Sequence, residues 1–282
     1  MPSITYADGA RDWQSIPFDT NLLFIYYTYS NNEVSIDPSL PIDGVSVNAN
    51  VPIIRYARSF AINGKIGGIQ LIVPYGFVDA RITGTNMTTS AQGWGDVNTI
   101  LFANLFGAPA LTRAQFVKWT PEDYLTAAVG ITAPTGSYHE DSILNIGKNR
   151  WSFKPQLSYG TYLSRRTLLA INANVQIFTD NDGYKNRERL SQDLLYGLEL
   201  HLSRDINNTI WVAGDGFYAY GGETKIDGAH QNNWQRTLRV GLSAGLKIDS
   251  ATAMSASATR SVLREDYTPS TTTFSINLNR AY

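Results

Sequence analysis

The sequence has no cysteine, only three histidines and no long apolar run. Without cysteine there can be no disulfide, no thiolate metal ligand and no cysteine nucleophile. No stretch reaches the roughly 18 consecutive apolar residues that a membrane-spanning helix needs, so a helical membrane protein is excluded. The 23 basic and 24 acidic residues nearly cancel. Bulk charge therefore offers no attraction for nucleic acid, and we predict no nucleic-acid partner.

Residues 1–19 also lack the pattern of an export signal, which is a basic start followed by an apolar run. Asp8, Arg11, Asp12 and Gln14 interrupt every apolar stretch in this part of the chain. We therefore expect the chain as given to carry no export signal.

Apolar and polar residues alternate with a period of two in segments of about ten residues, which is typical of β-strands. The clearest segments are 168–178, 194–203 and 237–248. Their polar faces contain charges, amides and glycines, which the core of a soluble sandwich would not bury. A membrane β-barrel places such a face toward its lumen and the apolar face toward lipid. The pattern therefore favours a transmembrane antiparallel β-barrel.

Weaker copies of the pattern bring the predicted total to about twelve strands. The copies lie near 20–30, 45–60, 67–80, 94–106, 123–135, 150–163, 209–220, 251–262 and 271–282. Short and long connections alternate between them, as expected for short periplasmic turns and long extracellular loops. The predicted long loops are 31–44, 81–93, 136–149, 180–192, 221–233 and 263–270. Segment 107–122 is too long for a turn, and we expect a short helix or flap there.

Several stretches of the sequence resemble one known family, the outer-membrane transporters called meta-pathway phenol-degradation proteins. They are residues 9–17, 39–44, 55–60, 133–138, 145–155 and 178–182. The resemblance extends from about residue 9 to about residue 240. It implies an outer-membrane channel, often linked to degradation of aromatic or other hydrophobic compounds, with no catalysis and no cofactor. The partners it implies are small hydrophobic solutes, outer-membrane lipid and lipopolysaccharide, and we expect a monomer.

Two other functions remain as alternatives. A barrel phospholipase needs a serine and a histidine within hydrogen-bond reach on the lipid side. His201 falls on the lumen face and His139 and His230 fall in loops, so we predict that the protein is not an enzyme. A soluble β-barrel or sandwich that binds a ligand is the second alternative, and its behaviour in the aqueous fraction would distinguish it.

Charged and polar side chains on the lumen face are the candidate pore-lining residues, because inward side chains set the field and width of a water-filled pore. The alternative is a neutral network of ion pairs that only fills the lumen. Arg55 and Arg58 stay unassigned, since we expect a bulge there. The candidates are Asp79, Asp96, Arg150, Lys154, Asp193, Glu199, His201, Arg236, Arg239 and Lys247.

Four prolines, Pro52, Pro74, Pro134 and Pro155, interrupt predicted strands. Each lacks the N–H group that a strand ladder needs, and lipid supplies no water to replace the lost bond. We therefore expect the wall to be kinked or bulged at these positions. A gap there would let an apolar solute leave sideways into the membrane, whereas bulges at a wet rim would have no such role.

Residues 1–19 precede the first predicted strand, so the chain divides into this segment and a barrel at 20–282. We predict that the segment folds into the lumen as a plug, with Arg11 and Asp12 pairing with inward charges and Trp13 packing on the wall. The alternative is a mobile terminus.

The run Asp180-Asn181-Asp182-Gly183 superficially resembles a calcium-binding loop. Its spacing differs from that of an EF-hand, in which the ligands alternate and glycine occupies the sixth position. We interpret it as a polar turn at a strand end and predict neither a metal site nor a cofactor. The alternative is a divalent ion held there together with Glu188.

Overall fold

The computed structural model describes residues 8–34, 44–185, 187–265 and 268–282. This part of the chain contains seventeen strands and one short helix. The strands are β1 (Asn21–Val34), β2 (Val45–Ile62), β3 (Lys65–Ile82), β4 (Thr88–Trp94), β5 (Asn98–Phe106), β6 (Tyr124–Thr132), β7 (Ser152–Ser164), β8 (Thr167–Phe178), β9 (Asn181–Tyr184), β10 (Glu188–Gln192), β11 (Leu195–Asp205), β12 (Ile210–Gly221), β13 (Thr224–Ile226), β14 (Ala229–His230), β15 (Gln235–Lys247), β16 (Thr252–Arg264) and β17 (Ser270–Ala281), and the helix is α1 (Arg113–Phe116).

Thirteen of the strands form one antiparallel sheet that closes on itself as a barrel. Its order is β2-β1-β17-β16-β15-β12-β11-β8-β7-β6-β5-β3-β4, and the additional pairing of β2 with β3 completes the ring. β4 pairs with residues 75–81 of β3 and β5 pairs with residues 67–72, so the two segments follow each other along β3 and make up one wall strand. The described wall thus has twelve strands, which confirms the predicted number and fold class.

The alternation in the sequence explains which way each side chain points. In β11 the odd-numbered residues face the interior and are largely buried, whereas Leu198, Leu200 and Leu202 point outward and are exposed. β8 and β15 show the same arrangement, as predicted. The outer surface is consequently a band of exposed apolar side chains, with Leu242 as much as 72% exposed. A band of this kind suits contact with lipid.

The connections divide the barrel into two ends. We call the end with the short connections the turn end; it includes the β2–β3 turn at residues 63–64 and the β7–β8 turn at 165–166. The opposite end, with the long connections, is the loop end. α1 lies in the long connection at the turn end, where Thr112 and Gln115 form a capping box, and it confirms the predicted short helix.

Three of the predicted loops contain additional strands. β9, β10, β13 and β14 form a separate small sheet at the loop end, and β4 extends the wall into the predicted 81–93 loop. These strands are short or polar, so no apolar alternation reveals them. Among the described residues there is no helix long and apolar enough to cross a membrane.

Three of the four prolines lie in the wall and interrupt its ladders. The β2–β3 register runs from Asn50↔Phe77 directly to Ile53↔Pro74, which leaves two rungs unpaired beside Pro52. Pro155 leaves two rungs unpaired between β7 and β8 in the same way. The strands pair in the same register on both sides of each gap, so neither gap shifts the register.

The prolines differ from the prediction in two respects. At Pro52 and Pro155 the strand continues with missing hydrogen bonds instead of a bulge, because only the N–H donor is lost. Pro134 does not interrupt a strand at all, because β6 ends at Thr132. At Pro74 the neighbouring wall strand breaks between β4 and β5, and the backbone N–H of Gly95 donates to the carbonyl oxygen of Pro74 at 2.9 Å.

Candidate functional site in the barrel lumen

Residues 8–19 lie inside the turn-end half of the barrel. The backbone N–H of Asp19 donates to the carbonyl of Ser59, a residue near the turn end of β2. Trp13 packs with Ala108, Tyr124 and Leu168 in a buried apolar cluster, each of them at a turn-end position of the wall or of its connection. The segment therefore enters from the turn end, and Trp13 is 9% exposed.

Charged side chains of this segment pair with the inner wall. Arg11 contacts Asp205 at 2.7 Å, and its guanidinium also lies 5.1 Å from the ring centroid of Trp211. Asp12 pairs with Arg55 at 3.0 Å, with both side chains largely shielded from solvent. The structure therefore brings Arg11, Asp12 and Trp13 together with inward wall residues, which is the arrangement that a plug requires.

Asp8 is the described residue of the segment that lies farthest toward the loop end. Its carboxylate accepts hydrogen bonds from the Trp13 indole at 2.8 Å, from Gln156 at 2.5 Å and from Asn172 at 3.4 Å. Burial raises the pKa of the Asp8 carboxyl, but the charge of Lys154 and these hydrogen bonds outweigh it, so the pKa is lowered. The pocket thus holds an ionised carboxylate.

A second buried cluster adjoins Asp8 and is centred on Glu199. Glu199 accepts a hydrogen bond from the backbone N–H of Asp8 at 3.2 Å and lies 3.7 Å from Lys154. His201, which is 1% exposed, is hydrogen-bonded through Nδ1 to Asp215 at 2.7 Å. Charges of both signs are therefore packed at mid-height in the lumen, where the low local dielectric strengthens each pairing.

The inner wall is apolar on one side of the loop-end half. The inward residues of β2 and β3 form a buried cluster, against which Leu144 packs from the β6–β7 connection. The charged cluster lies mainly on β7, β8, β11 and β12. A barrel lumen is usually polar, so this apolar wall sets the interior apart. Its buried members on β2 and β3 are Val47, Ala49, Val51, Ile53, Ile72 and Val78.

A third side of the interior carries small polar side chains. They belong to β15, β16 and β17 and keep part of their surface accessible, which marks the side of the lumen least filled by protein. Among them are Ser243, Ser255, Ser257, Thr259, Thr273 and Ser275. Arg239 projects from the same region and lies 5.3 Å from the ring centroid of Phe217.

At the loop end, the β6–β7 connection is fastened to the wall by Asp96. This carboxylate accepts hydrogen bonds from the backbone N–H groups of Gly136 at 2.9 Å and Lys148 at 2.8 Å. Arg150 is buried against Phe178 and donates to Gln192. Burial and the nearby Arg150 lower the pKa of Lys148 to about 8, and burial lowers the pKa of Arg150 to about 10.

Six of the ten predicted pore-lining residues face the interior or are buried. Lys154, Glu199, His201 and Arg239 face the interior at mid-height. Asp96 is buried in the break between β4 and β5, and Arg150 is buried in the β6–β7 connection.

Two of the predicted positions are wrong, and two others lie at the ends of the barrel. Asp79 shares the outward parity of exposed Phe77, and Arg236 lies on the outward face of β15, where it pairs with Glu265 at 3.3 Å. Both errors arise near strand ends, where polar residues also occupy the outward face. Asp193 precedes β11 and pairs with Lys225 at 2.8 Å. Lys247 is the last residue of β15 and is exposed at the turn end.

The run Asp180-Asn181-Asp182-Gly183 is not a turn, because β9 begins at Asn181, and its acidic side chains pair with a cation of the chain itself. Arg189 pairs with Asp180 and, at 3.6 Å, with Asp182. Within the ranges that the structure describes, no group of three or more His, Cys, Asp or Glu residues is arranged to hold a metal ion.

Sequence reasoning missed several residues of the site. Gln156, Asn172 and Asp215 are inward and buried, yet only Asn172 stood out as part of a polar face. The parity that placed Lys154 inward also places Gln156 inward, and Asp215 shares the parity of Ala213 and Phe217. No pattern in the sequence predicts the pairing of Asp8 with Gln156.

The closed twelve-stranded wall, its apolar exterior and its partly charged interior define a transmembrane β-barrel, since closure lets the strands pair around the ring and leaves no open sheet edge in lipid. Residues 30–278 match the protein family described as "Putative MetA-pathway of phenol degradation". The chain belongs to this family, in agreement with the resemblance seen in the sequence. No curated protein matches the sequence significantly.

Solved structures share the fold. The COG4313 outer membrane channel from Pseudomonas putida F1 aligns with a TM-score of 0.84 at 22% identity, covering 98% of this chain and 100% of that one. The beta domain of the Bordetella autotransporter Brka gives 0.59 at 10% identity, covering 94% and 100%. The translocator domain of the autotransporter NalP from Neisseria meningitidis gives 0.57 at 8% identity, covering 96% and 91%. The barrel therefore has the fold of outer-membrane proteins.

Proposed function

We propose that the protein is a monomeric channel of the bacterial outer membrane that admits small hydrophobic molecules, aromatic ones among them, by passive diffusion. The turn end faces the periplasm and the loop end faces outside, as is usual for bacterial outer-membrane barrels. Lipid and lipopolysaccharide surround the apolar exterior. The description of the family, which concerns phenol degradation, and the channel from Pseudomonas putida are consistent with this function.

The apolar wall inside the loop-end half is the observation that carries the proposal. Val51 and Ile53 are 2% and 6% exposed and face the interior, together with Ile72 from the neighbouring strand. Leu144 of the β6–β7 connection packs against this surface. An apolar solute that takes the place of Leu144 is stabilised by about 25 cal/mol per Å² of apolar surface removed from water, whereas ions and sugars gain nothing there. The small polar side chains of β15, β16 and β17 border the least filled side of the lumen.

The two alternatives are less well supported. His201 contacts Asp215 in the interior, and the Ser203 hydroxyl bonds the carbonyl of Leu168 instead of a histidine. The structure therefore offers no serine–histidine pair on the lipid side among the residues it describes. A soluble binder would expose a band of leucines to water, which is unfavourable over so large a patch.

Uptake by whole cells tests the proposal. A Gram-negative strain lacking its general porins is given labelled benzyl alcohol or labelled glucose, with and without the protein. We expect the protein to raise the initial rate for benzyl alcohol severalfold and to leave that for glucose nearly unchanged. Equal acceleration of both solutes, or of neither, would contradict selective uptake. A variant with Val51→Asn on the inner wall should show a smaller increase in the rate of benzyl alcohol uptake.

A further inference from the structure

The pocket around the Asp8 carboxylate is built from wall residues that are far apart in the sequence. Gln156 lies on β7 and Asn172 on β8, and they are 7% and 1% exposed. Both amides donate to one oxygen of Asp8, and the ammonium group of Lys154 lies nearby. Charge-assisted hydrogen bonds of this kind are the strong ones in proteins. The wall thus presents a preformed receptor for one carboxylate.

The occupant of this receptor belongs to a segment that the wall does not require. Every strand of the barrel follows residue 20, and Asp8 reaches the pocket only because residues 8–19 fold back into the lumen. Turn hydrogen bonds from Asp12 to Gly9 and from Gln14 to Arg11 hold the segment in a compact form. Among the described residues of the segment, Asp8 lies closer to the loop end than Trp13 and Arg11 do.

We propose that the Gln156–Asn172–Lys154 pocket is the solute-binding site for a carboxylate, that Asp8 occupies it in the resting protein, and that an incoming carboxylate solute displaces Asp8. This inference rests on the proposed channel function and adds hydrophobic, for example aromatic, monocarboxylates as the solutes that this pocket recognises. The solute carboxylate takes over the two amide bonds and the charge of Lys154, while its apolar part lies toward the apolar inner wall.

The charges around the pocket are compatible with an exchange of one anion for another. Glu199 accepts hydrogen bonds from Asn172 and from the Asp8 backbone, and Asp12 is neutralised by Arg55. Replacing Asp8 by an external carboxylate leaves the net charge of the pocket unchanged, whereas a neutral solute would take one carboxylate away from Lys154 and leave the Gln156 amide its bond to the neutral Ser158 hydroxyl at 2.9 Å. Loss of a charged partner at a buried ammonium group is costly. The site therefore discriminates against uncharged analogues.

Benzoate and benzamide test the inference, because they share a ring and differ in charge. Single channels of the purified full-length protein are recorded at constant ionic strength while benzoate or benzamide is added on the loop-end side. We expect benzoate to increase the open probability severalfold and benzamide to have little effect. Gln156→Leu removes the same charge-assisted hydrogen bond from Asp8 and from benzoate, so it should raise the open probability without solute and reduce the further increase that benzoate gives.

Two variants of the segment complete the test. Asp8→Asn should be open without benzoate and insensitive to it. Asp19→Asn is the matched control, because Asp19 belongs to the same segment but pairs with Arg58 outside the pocket at 2.9 Å; it should respond like the native protein. Equal responses to benzoate and benzamide, or an unchanged benzoate response in Asp8→Asn, would overturn the inference.

A binding measurement separates this inference from the channel function. Titration calorimetry with benzoate, together with hydrogen exchange of residues 8–19, is carried out on the protein in detergent. Benzoate binding with increased exchange at the segment supports the carboxylate site even if no current is seen, in which case only the channel function fails. Normal conductance without benzoate binding contradicts the site alone.

Discussion

The Asp8 carboxylate accepts a hydrogen bond from the Gln156 amide at 2.5 Å, although 148 residues separate the two in the chain. This bond joins the N-terminal segment to the wall at mid-height in the lumen. Together with the Arg11–Asp205 pair near the turn end, it fixes the segment at two levels. We therefore predict that the segment obstructs the path through the barrel, and that its removal changes the conductance.

Deleting residues 2–18 should raise the single-channel conductance substantially, by about twofold or more, because the turn-end half of the lumen would be emptied. The wall should still assemble, since its first strand begins at Asn21 and all its ladders remain. Planar-bilayer recordings give the conductance, and heat-modifiable migration on a gel reports assembly. A truncated protein that folds and conducts like the native one would show that residues 8–19 do not obstruct the pore.

Replacing Arg239 by alanine should shift ion selectivity toward cations, because the guanidinium faces the lumen beside the least filled wall. Lys247→Ala should have a smaller effect, since Lys247 is exposed at the turn end. Arg236→Ala is the matched control, because it removes the same charge from the outward face. Reversal potentials in a salt gradient measure the effect. Equal shifts for Arg236 and Arg239 would place neither in the pore lining.

Lys148 gives the protein a pH dependence of stability. Its pKa in the folded protein is lowered to about 8, from an ordinary value of 10.5. Protonation therefore favours the unfolded chain, and the unfolding free energy rises with pH between about 8 and about 10.5. Below about pH 8 this destabilisation is fully present.

Lys148→Met should remove that dependence. We expect the difference in unfolding free energy, native minus variant, to be flat below about pH 8 and to rise above it. Urea unfolding in lipid bilayers from about pH 7 to about pH 11 measures this difference. A difference that stays constant over the whole range would mean that Lys148 titrates at its ordinary pKa.

Pro155→Val should stabilise the barrel by about 1 kcal/mol, because valine supplies the missing N–H donor of the β7–β8 ladder and also favours strand geometry. Pro134→Ala serves as the control, since Pro134 lies beyond the end of β6. Unfolding free energies and amide hydrogen exchange at Val175 and Gln176 show whether the missing β7–β8 hydrogen bond has formed. Unchanged exchange at these residues would mean that the rungs are open for a reason other than the missing donor.

The number of strands and the direction of most side chains follow from the sequence, because a period of two survives wherever one face meets lipid and the other meets the lumen. Near strand ends this physical contrast fades, since both faces become polar, and Asp79 and Arg236 were assigned to the wrong face for that reason. The small strands at the loop end, such as β10, are stabilised by pairing with each other and carry no apolar signal.

The lumen was less predictable than the wall. The charges of residues 8–19 suggested that they would find partners, but not which ones. The pairing of Asp12 with Arg55, and that of Asp8 with Gln156 and Asn172, depends on how the segment folds back through the barrel. Such contacts are set by three-dimensional proximity, and no local pattern of residues encodes them.

We propose that the protein is a channel whose lumen accepts small apolar molecules. Single-channel recording of the purified protein in planar bilayers, before and after addition of neutral benzyl alcohol, tests it most directly. We predict discrete conductance steps and a reversible reduction of ion current by benzyl alcohol that is weakened in the Val51→Asn variant. Absence of steps from correctly folded protein, or steps whose current benzyl alcohol leaves unchanged, would contradict the claim.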